Sequence, residues 1–229
     1  MPYYSYNDNN SGSFLGWIPP VTRNILLVNI VMFIASLINQ EFMIRTFAMF
    51  NPESPFFRIW QPVTYMFMHG SFWHLFFNMF CLVMFGSALE RVIGSNKFLI
   101  FYFVAGLGAI LLHTAVGYIQ LANLASSSPG ILTQGQIDLL RTPTLGASGS
   151  IYGIQIGYAM LYPNAVWTLL FPPISLKAKW FVLIFVAVEL ITGVTGTTDG
   201  VAHFAHLGGM LFGFLLLLYW IKKNKIWRP

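Results

Sequence analysis

Residues 201–221 read VAHFAHLGGMLFGFLLLLYWI, a run that contains two histidines but no acidic residue, lysine or arginine. A helix that crosses a bilayer needs about 20 predominantly apolar residues, so this run predicts a membrane-spanning helix. The whole chain has a similar character, because 56% of its 229 residues are apolar and only 8% are charged. Soluble domains carry about 25% charged residues. Most of this chain is therefore expected to face lipid or the interior of a helical bundle.

Five further apolar runs have the length of a span, and they lie near residues 22–40, 72–89, 97–118, 146–162 and 178–196. We therefore predict an all-α membrane protein, a bundle of six transmembrane helices with both termini on one side. With the N-terminus inside, nine lysines and arginines fall on inner segments and three on outer segments. Cytoplasmic segments are enriched in these residues, so the predicted topology is N-in, C-in. The net charge of +5 is then explained without a nucleic-acid partner.

The connecting segments complete the predicted domain organisation. Residues 1–21 are expected to form a cytoplasmic tail, residues 22–221 one membrane domain, and residues 222–229 a basic cytoplasmic tail. The first outer loop, about 41–71, is rich in aromatic residues and methionine yet broken by prolines, which predicts that it lies partly embedded at the bilayer edge. The connection 119–145 is polar and rich in Ser, Gly and Thr, which predicts an exposed outer loop.

Polar residues occupy the first two turns of the second, fourth and sixth predicted helices, all of which run inward from the outer face. They are His74 with Asn78, Ser148 with Tyr152, and His203 with His206. Each pair is spaced three or four residues apart and so lies on one helix face. At about 1.5 Å per residue, these groups sit roughly 3–10 Å below the outer surface. Polar groups inside spans are rare and mark functional sites, so this shared depth predicts one site.

The residue types at this depth suit nucleophilic catalysis. A serine hydroxyl becomes a good nucleophile when an imidazole takes its proton, and the resulting oxyanion needs hydrogen-bond donors. Ser148 and His206 can supply the first pair, and Asn78, His74 and the backbone N–H of Ser148 can supply the donors. No aspartate is placed to orient His206. The sequence therefore predicts a Ser–His dyad, with Tyr152 packed against the imidazole as its orienting group.

Glycines repeat every four residues on two of these helices. Gly149, Gly153 and Gly157 form one stripe on the fourth helix, and Gly209 and Gly213 form another on the sixth. Such stripes let helix backbones approach closely in lipid. A close approach of these two helices would bring Ser148 within reach of His206.

Three motifs stand on three of the predicted helices, and they are Gly146-Ala147-Ser148-Gly149, Ala205-His206-Leu207-Gly208-Gly209 with Gly213, and His69 with His74 and Asn78. Together they resemble the rhomboid intramembrane proteases, over about residues 50–221. The combination in this order is strong evidence, whereas a G-x-S-G motif alone is weak.

The resemblance implies a serine endopeptidase that cleaves transmembrane substrate helices near the outer membrane face. By this resemblance Ser148 is the nucleophile and His206 the base, while His74 and Asn78 serve the oxyanion hole. Tyr152 matches the family's tyrosine beside that histidine, and Gly146, Gly149, Gly209 and Gly213 support the site. No cofactor or metal is implied. The expected partners are transmembrane proteins and the lipid bilayer, and the expected location is a bacterial inner membrane.

Three other positions match or depart from what the family pattern would place there. Glu90-Arg91 followed by Gly94 is similar to the end of the family's second helix, which is structural. Gln61 after Trp60 departs from the family's Trp-Arg pair, which puts the hydrogen-bond anchoring of the first outer loop in doubt. Glu189 is a costly acid inside the fifth span, and the sequence gives it no firm role.

Two alternative functions stay open at this stage. A metal-dependent membrane hydrolase could collect His69, His74, His203 and His206, although the chain lacks the H-E-x-x-H motif of many zinc hydrolases. A non-catalytic relative that binds transmembrane helices is the other alternative. Loss of the serine or the histidine would favour it, and both residues are present.

Overall fold

The computed structural model describes residues 15–168, 173–195 and 202–226, and these ranges are predominantly helical. Residues 1–14 of the predicted tail, Gly196 of the predicted fifth span, Val201 of the predicted sixth span and residues 227–229 of the basic tail lie outside them. The helices within these ranges are α1 Pro20–Ile38, α2 Gln40–Phe47, α3 Gln61–Thr64, α4 Phe72–Cys81, α5 Ser87–Ile93, α6 Ser95–Ser127, α7 Gln134–Arg141, α8 Ser148–Leu161, α9 Ala178–Thr195 and α10 His203–Lys222. A π-helical turn, Leu82–Gly86, joins α4 to α5. Strands β1 Val166–Thr168 and β2 Ser175–Lys177 pair antiparallel between α8 and α9.

The long helices confirm the predicted all-α membrane bundle. Five helices in the described part of the chain are long and apolar enough to cross a membrane, namely α1, the continuous helix Phe72–Ile93, α6, α9 and α10. The remaining predicted span, the fourth at about 146–162, corresponds to α8, which has 14 residues and a length of about 21 Å. That is shorter than the roughly 30 Å hydrocarbon core. The six-span count and the N-in, C-in topology stay predictions.

Helices α6, α8 and α10 pack at the centre of the bundle through their glycines. A Cβ atom on Gly209 of α10 would lie 1.9 Å from the carbonyl oxygen of Gly149 on α8, and one on Gly208 would lie 2.6 Å from that of Gly108 on α6. Real side chains cannot occupy such positions, so α10 sits directly against both neighbouring backbones. Gly157, at the far end of the α8 stripe, instead packs against Phe101 and Leu89.

The segment 119–145 corrects a prediction, because most of it is helical. Helix α6 continues through residues 119–127, and α7 follows at Gln134–Arg141. The stretch IQLANLASS at 119–127 contains no glycine or proline to end the helix. Helix α7 begins with a capping box in which Thr133 and Gln136 satisfy each other's backbone N–H groups. The predicted exposure is right for most of residues 119–127, but the predicted loop is wrong there.

Gln61 anchors the predicted first outer loop. The sequence put this anchoring in doubt, because glutamine stands where the family pattern has arginine. Its side chain is fully buried. Its amide oxygen accepts hydrogen bonds from the backbone N–H groups of Phe50 and Arg58, at 3.3 and 3.1 Å. Its amide nitrogen donates to the carbonyls of Arg45 and Phe56, at 3.2 and 3.0 Å. A neutral amide thus ties together four backbone groups of this loop.

At the opposite end of the bundle, the carboxylate of Glu90 is buried at the start of α1. One oxygen accepts from the backbone N–H of Val21 and the hydroxyl of Ser95, at 3.0 and 2.7 Å. The other accepts from the N–H and the hydroxyl of Thr22, both at 2.7 Å. Helix α1 has no side-chain cap of its own, so Glu90 satisfies N–H groups that its first turn leaves free.

Candidate active site

A cavity of about 760 Å³ opens at the end of the bundle where α4, α8 and α10 begin, which we call the site end. Its walls come from these three helices, from α6 and α7, from residues 142–146 and from the last turns of α9. Among the lining residues are the predicted polar residues His74, Asn78, Ser148, His203 and His206. The structure therefore brings five of the predicted polar residues to one cavity.

Ser148 is the first residue of α8, and the turn before it requires glycine. Gly146 has φ +134°, a conformation that residues with a side chain rarely adopt. A Cβ atom there would lie 2.9 Å from the imidazole of His74. The N–H of Gly146 donates to the carbonyl of Tyr65 at 3.0 Å, which ties this turn to the loop before α4. This turn thus places Ser148 at the start of a helix, next to His74.

His206 lies across the cavity in the first turn of α10, with its Nε2 atom 2.8 Å from Ser148 Oγ. The His206 side chain is 10% exposed. The ring of Tyr152, one turn after Ser148 on α8, stacks on it with a centroid separation of 4.2 Å and an interplanar angle of 13°. A hydrogen-bonded serine and histidine are therefore held from two helices, and the tyrosine fixes the plane of the imidazole.

Glu189 on α9 is the site residue to which sequence reasoning gave no role. Its side chain is buried, with Oε1 2.9 Å from Nδ1 of His206 and Oε2 2.7 Å from Nδ1 of His203. His203 Nδ1 also lies 3.0 Å from the hydroxyl of Thr192. The position of Glu189 along its helix is the signal that could have assigned it to the site, because it lies six residues before Thr195, the last residue of α9. At 1.5 Å per residue that is about 9 Å from the site end, which is the depth range of the other polar residues.

The two predicted oxyanion donors lie on α4. The amide nitrogen of Asn78 donates to the carbonyl of His74 at 2.7 Å, one turn earlier on the same helix, so it is held against its own backbone. The His74 ring contacts the ring of His69 at 5.0 Å between centroids. Burial, with a smaller contribution from His74, lowers the pKa of His69 to about 3. His69 is therefore neutral near pH 7 and adds no charge to the site.

The histidines are distributed in a way that bears on the metal alternative. Within residues 15–168, 173–195 and 202–226, no group of three or more His, Cys, Asp or Glu side chains is arranged to hold a metal ion. His203 and His206 instead turn their Nδ1 atoms to the two oxygens of one carboxylate. His203 and His206 are therefore placed to hydrogen-bond to Glu189.

These features define a class: a helical integral membrane protein with a serine and a histidine hydrogen-bonded in a cavity at one end of the bundle. Residues 57–223, more than half of the chain, match the family model of the Rhomboid domain. The chain belongs to the rhomboid family.

Three relatives show the range of this similarity. Rhomboid protease AarA of Providencia stuartii is 29% identical over 172 residues, which are 71% of this chain and 56% of that protein. Rhomboid protein 1, mitochondrial, of Saccharomyces cerevisiae is 29% identical over 65% of this chain and 38% of its own length. Presenilin-associated rhomboid-like protein A, mitochondrial, of Danio rerio is 31% identical over 82% of this chain and 44% of its own length. The chain thus spans about half the length of these relatives.

Proposed function

We propose that this protein is an intramembrane serine endopeptidase in which Ser148 is the nucleophile and His206 the general base. The observation that carries the proposal is the 2.8 Å contact between Ser148 Oγ and His206 Nε2, in a cavity open at the site end of a membrane bundle. Similarity to a named rhomboid protease supports it. The second alternative, a helix-binding protein without activity, needs neither the serine nor the histidine.

The reaction proceeds by two acyl transfers. Ser148 Oγ bonds to the scissile carbonyl carbon, its proton passes to His206 Nε2, and the carbonyl π electrons move onto oxygen. Collapse of this intermediate breaks the C–N bond, and His206 gives the proton to the leaving nitrogen. A water then attacks the acyl-enzyme and gives its proton to His206, which returns a proton to Ser148 Oγ as the new carboxyl product leaves.

The oxyanion of each intermediate needs donors near Ser148. The backbone N–H of Ser148 is free of intrahelical bonding because it opens α8. His74 and Asn78 line the same cavity and are the proposed side-chain donors. One N–H of the Asn78 amide is donated to the His74 carbonyl, so only its second N–H is left for the oxyanion, and we assign Asn78 the smaller share.

The substrates we propose are transmembrane helices of other proteins, cut near the outer membrane face. A regular helix holds its carbonyls in the i→i−4 ladder, so a substrate has to unwind before Ser148 can attack it. Unwinding in hydrocarbon leaves backbone groups unsatisfied. The site end, where the polar cavity lies, is the least costly place for it. Helices with Gly, Pro or polar residues in their outermost turns are thus the preferred substrates.

The test is cleavage of a transmembrane peptide by the purified full chain in liposomes. Ser148→Ala and His206→Ala should each lower kcat/KM by about 10⁴-fold or more, and Asn78→Ala by about 10²–10³-fold. The matched control is Ser150→Ala, the same substitution two residues along α8, where the buried hydroxyl contacts Met66 Sδ at 3.7 Å. Ser150→Ala should retain cleavage. Full activity of Ser148→Ala would refute the proposal.

A further inference from the structure

Glu189 comes from α9, a helix that contributes none of the site residues predicted from the sequence. Its side chain is 7% exposed, and a carboxylate so deeply buried is costly unless its oxygens receive hydrogen bonds. Each oxygen has a separate partner: Oε1 faces His206 Nδ1 at 2.9 Å, and Oε2 faces His203 Nδ1 at 2.7 Å. The carboxylate therefore cannot rotate without breaking both contacts.

The position of the proton on His206 decides whether this histidine can act as a base. A neutral imidazole carries one N–H and one bare nitrogen, so Nε2 can take the Ser148 proton only if the ring hydrogen is on Nδ1. An ionised carboxylate accepts hydrogen bonds and donates none. Glu189 beside Nδ1 therefore favours the tautomer that leaves Nε2 free for Ser148.

We propose that Glu189 is a positioning residue that holds His206 in the tautomer and orientation able to accept the Ser148 proton. This inference rests on the proposed function and deepens it, because it replaces a Ser–His dyad by a Ser148–His206–Glu189 triad. His203 acts on Glu189 by donating to its second oxygen. Tyr152 fixes the ring plane by stacking, while Glu189 fixes the hydrogen on the ring.

The charges at the reaction step support the same role. When Nε2 takes the proton, an imidazolium forms 2.9 Å from the carboxylate, and an opposite charge at this range in a low-dielectric site stabilises it strongly. The other ionisable groups that act on this part of the site are His74 on α4, His113 on α6, Tyr152 on α8 and His203 on α10. None of these is an acid that is anionic at neutral pH. Asp138 on α7 also lines the cavity, but its carboxylate accepts a hydrogen bond from Gln134 on its own helix. Glu189 is the carboxylate that lies against the His206 ring.

The experiment compares Glu189→Gln with Glu90→Gln, the same substitution at the other buried glutamate. The amide of glutamine has one oxygen, which can accept a hydrogen bond from only one of the two histidines. Its NH₂ group then faces the ring of the other histidine. Facing His206, that NH₂ favours the tautomer with a hydrogen on Nε2, which cannot take a proton from serine. We measure kcat and KM for a transmembrane peptide, together with the thermal unfolding midpoint of each variant.

The expected result for Glu189→Gln is a kcat lower by about 100-fold or more, with KM within about twofold of wild type. Glu189→Asp keeps the charge on a shorter side chain and should recover about tenfold of that loss. Glu90→Gln should leave kcat unchanged in the folded protein. A merely structural Glu189 would lower the unfolding midpoint without separating kcat from KM.

A kcat of Glu189→Gln within about threefold of wild type would overturn the positioning role. If Glu189→Gln does not fold, Glu189→Asp decides: kcat reduced at constant KM supports the role, and unchanged kcat refutes it. A different result would refute the proposed function: cleavage by the Ser148→Ala variant. An enzyme that depends on Ser148 yet ignores Glu189 would remain a dyad protease.

Discussion

Two glutamates are buried in this membrane bundle, at opposite ends, and their partners differ in kind. Glu90 is 2% exposed and Glu189 is 5% exposed, so both carboxylates are removed from solvent. Glu90 accepts hydrogen bonds from backbone N–H groups and hydroxyls at the start of α1 and α6. Glu189 faces two imidazole rings.

The difference separates a structural carboxylate from one suited to chemistry. Amides and hydroxyls keep their hydrogens at neutral pH, so the partners of Glu90 never change and its environment is fixed. An imidazole that acts as a general base takes up and releases a proton, so the partners of Glu189 can change during a reaction. Burial alone does not distinguish the two carboxylates, whereas the identity of their donors does.

The largest effect on stability is expected from Glu90→Gln. The NH₂ group of glutamine would meet backbone N–H groups of α1, leaving buried donors unpaired at a cost of about 3 kcal/mol. The unfolding midpoint in detergent should fall clearly, while kcat per folded molecule stays at the wild-type value. A loss of kcat in well-folded Glu90→Gln would remove the distinction between the two glutamates.

Gly209→Ala should disturb the site end without touching either glutamate. The new Cβ atom would lie 1.9 Å from the carbonyl of Gly149, so α8 and α10 must separate and Ser148 must move away from His206. Overpacking of this kind costs about 1–3 kcal/mol, and kcat should fall with the unfolding midpoint. The control is Gly117→Ala on α6, whose Cβ atom would lie 3.5 Å from Asn51 Nδ2. Equal behaviour of the two variants would contradict the close packing.

His203→Leu should lower kcat about tenfold, equivalent to about 1.4 kcal/mol, because Glu189 loses the donor to its second oxygen. His203→Asn places an amide nitrogen near the position of Nδ1 and should restore most of the rate. The measurement is kcat per folded molecule for the two variants. If asparagine and leucine behaved alike, His203 would act by packing and not by donating to Glu189.

Thr192→Val should have the smallest effect, about threefold in kcat or roughly 0.7 kcal/mol. Valine matches threonine in shape but removes the hydroxyl 3.0 Å from His203 Nδ1. Three further contacts, through Glu189 and His206, separate His203 from Ser148. Thr195→Val is the control, because that hydroxyl bonds the carbonyl of Ile191 on its own helix. If Thr192→Val lowered kcat as much as His203→Leu, the threonine would not act through His203 alone, and this prediction would be wrong.

Sequence reasoning predicted the helices and the serine and histidine because both follow from properties along the chain. Apolar runs set the spans, and helix rise set the shared depth of Ser148 and His206. The fourth and sixth helices were expected to meet through their glycines, and the backbones of Gly149 and Gly209 are in direct contact.

The partners of Glu189 and Gln61 could not be predicted in the same way. Each depends on how a side chain meets groups that are distant in sequence: Glu189 lies 17 residues before His206, on another helix. Periodicity gives the faces within one helix but not the rotation of one helix against another. The extension of α6 is a different case, because a polar composition was interpreted as a loop although nothing in residues 119–127 interrupts a helix.

If Ser148 is the proposed nucleophile, the shortness of α8 makes the surrounding lipid part of the geometry of the reaction. Ser148 begins a helix about 21 Å long in a bilayer with a hydrocarbon core of about 30 Å. The gap between these lengths sets how far hydrolytic water must descend to reach the serine. Longer acyl chains thicken the bilayer and deepen this descent, whereas shorter chains reduce it. Turnover of an unchanged chain would therefore vary with the thickness of the membrane that holds it.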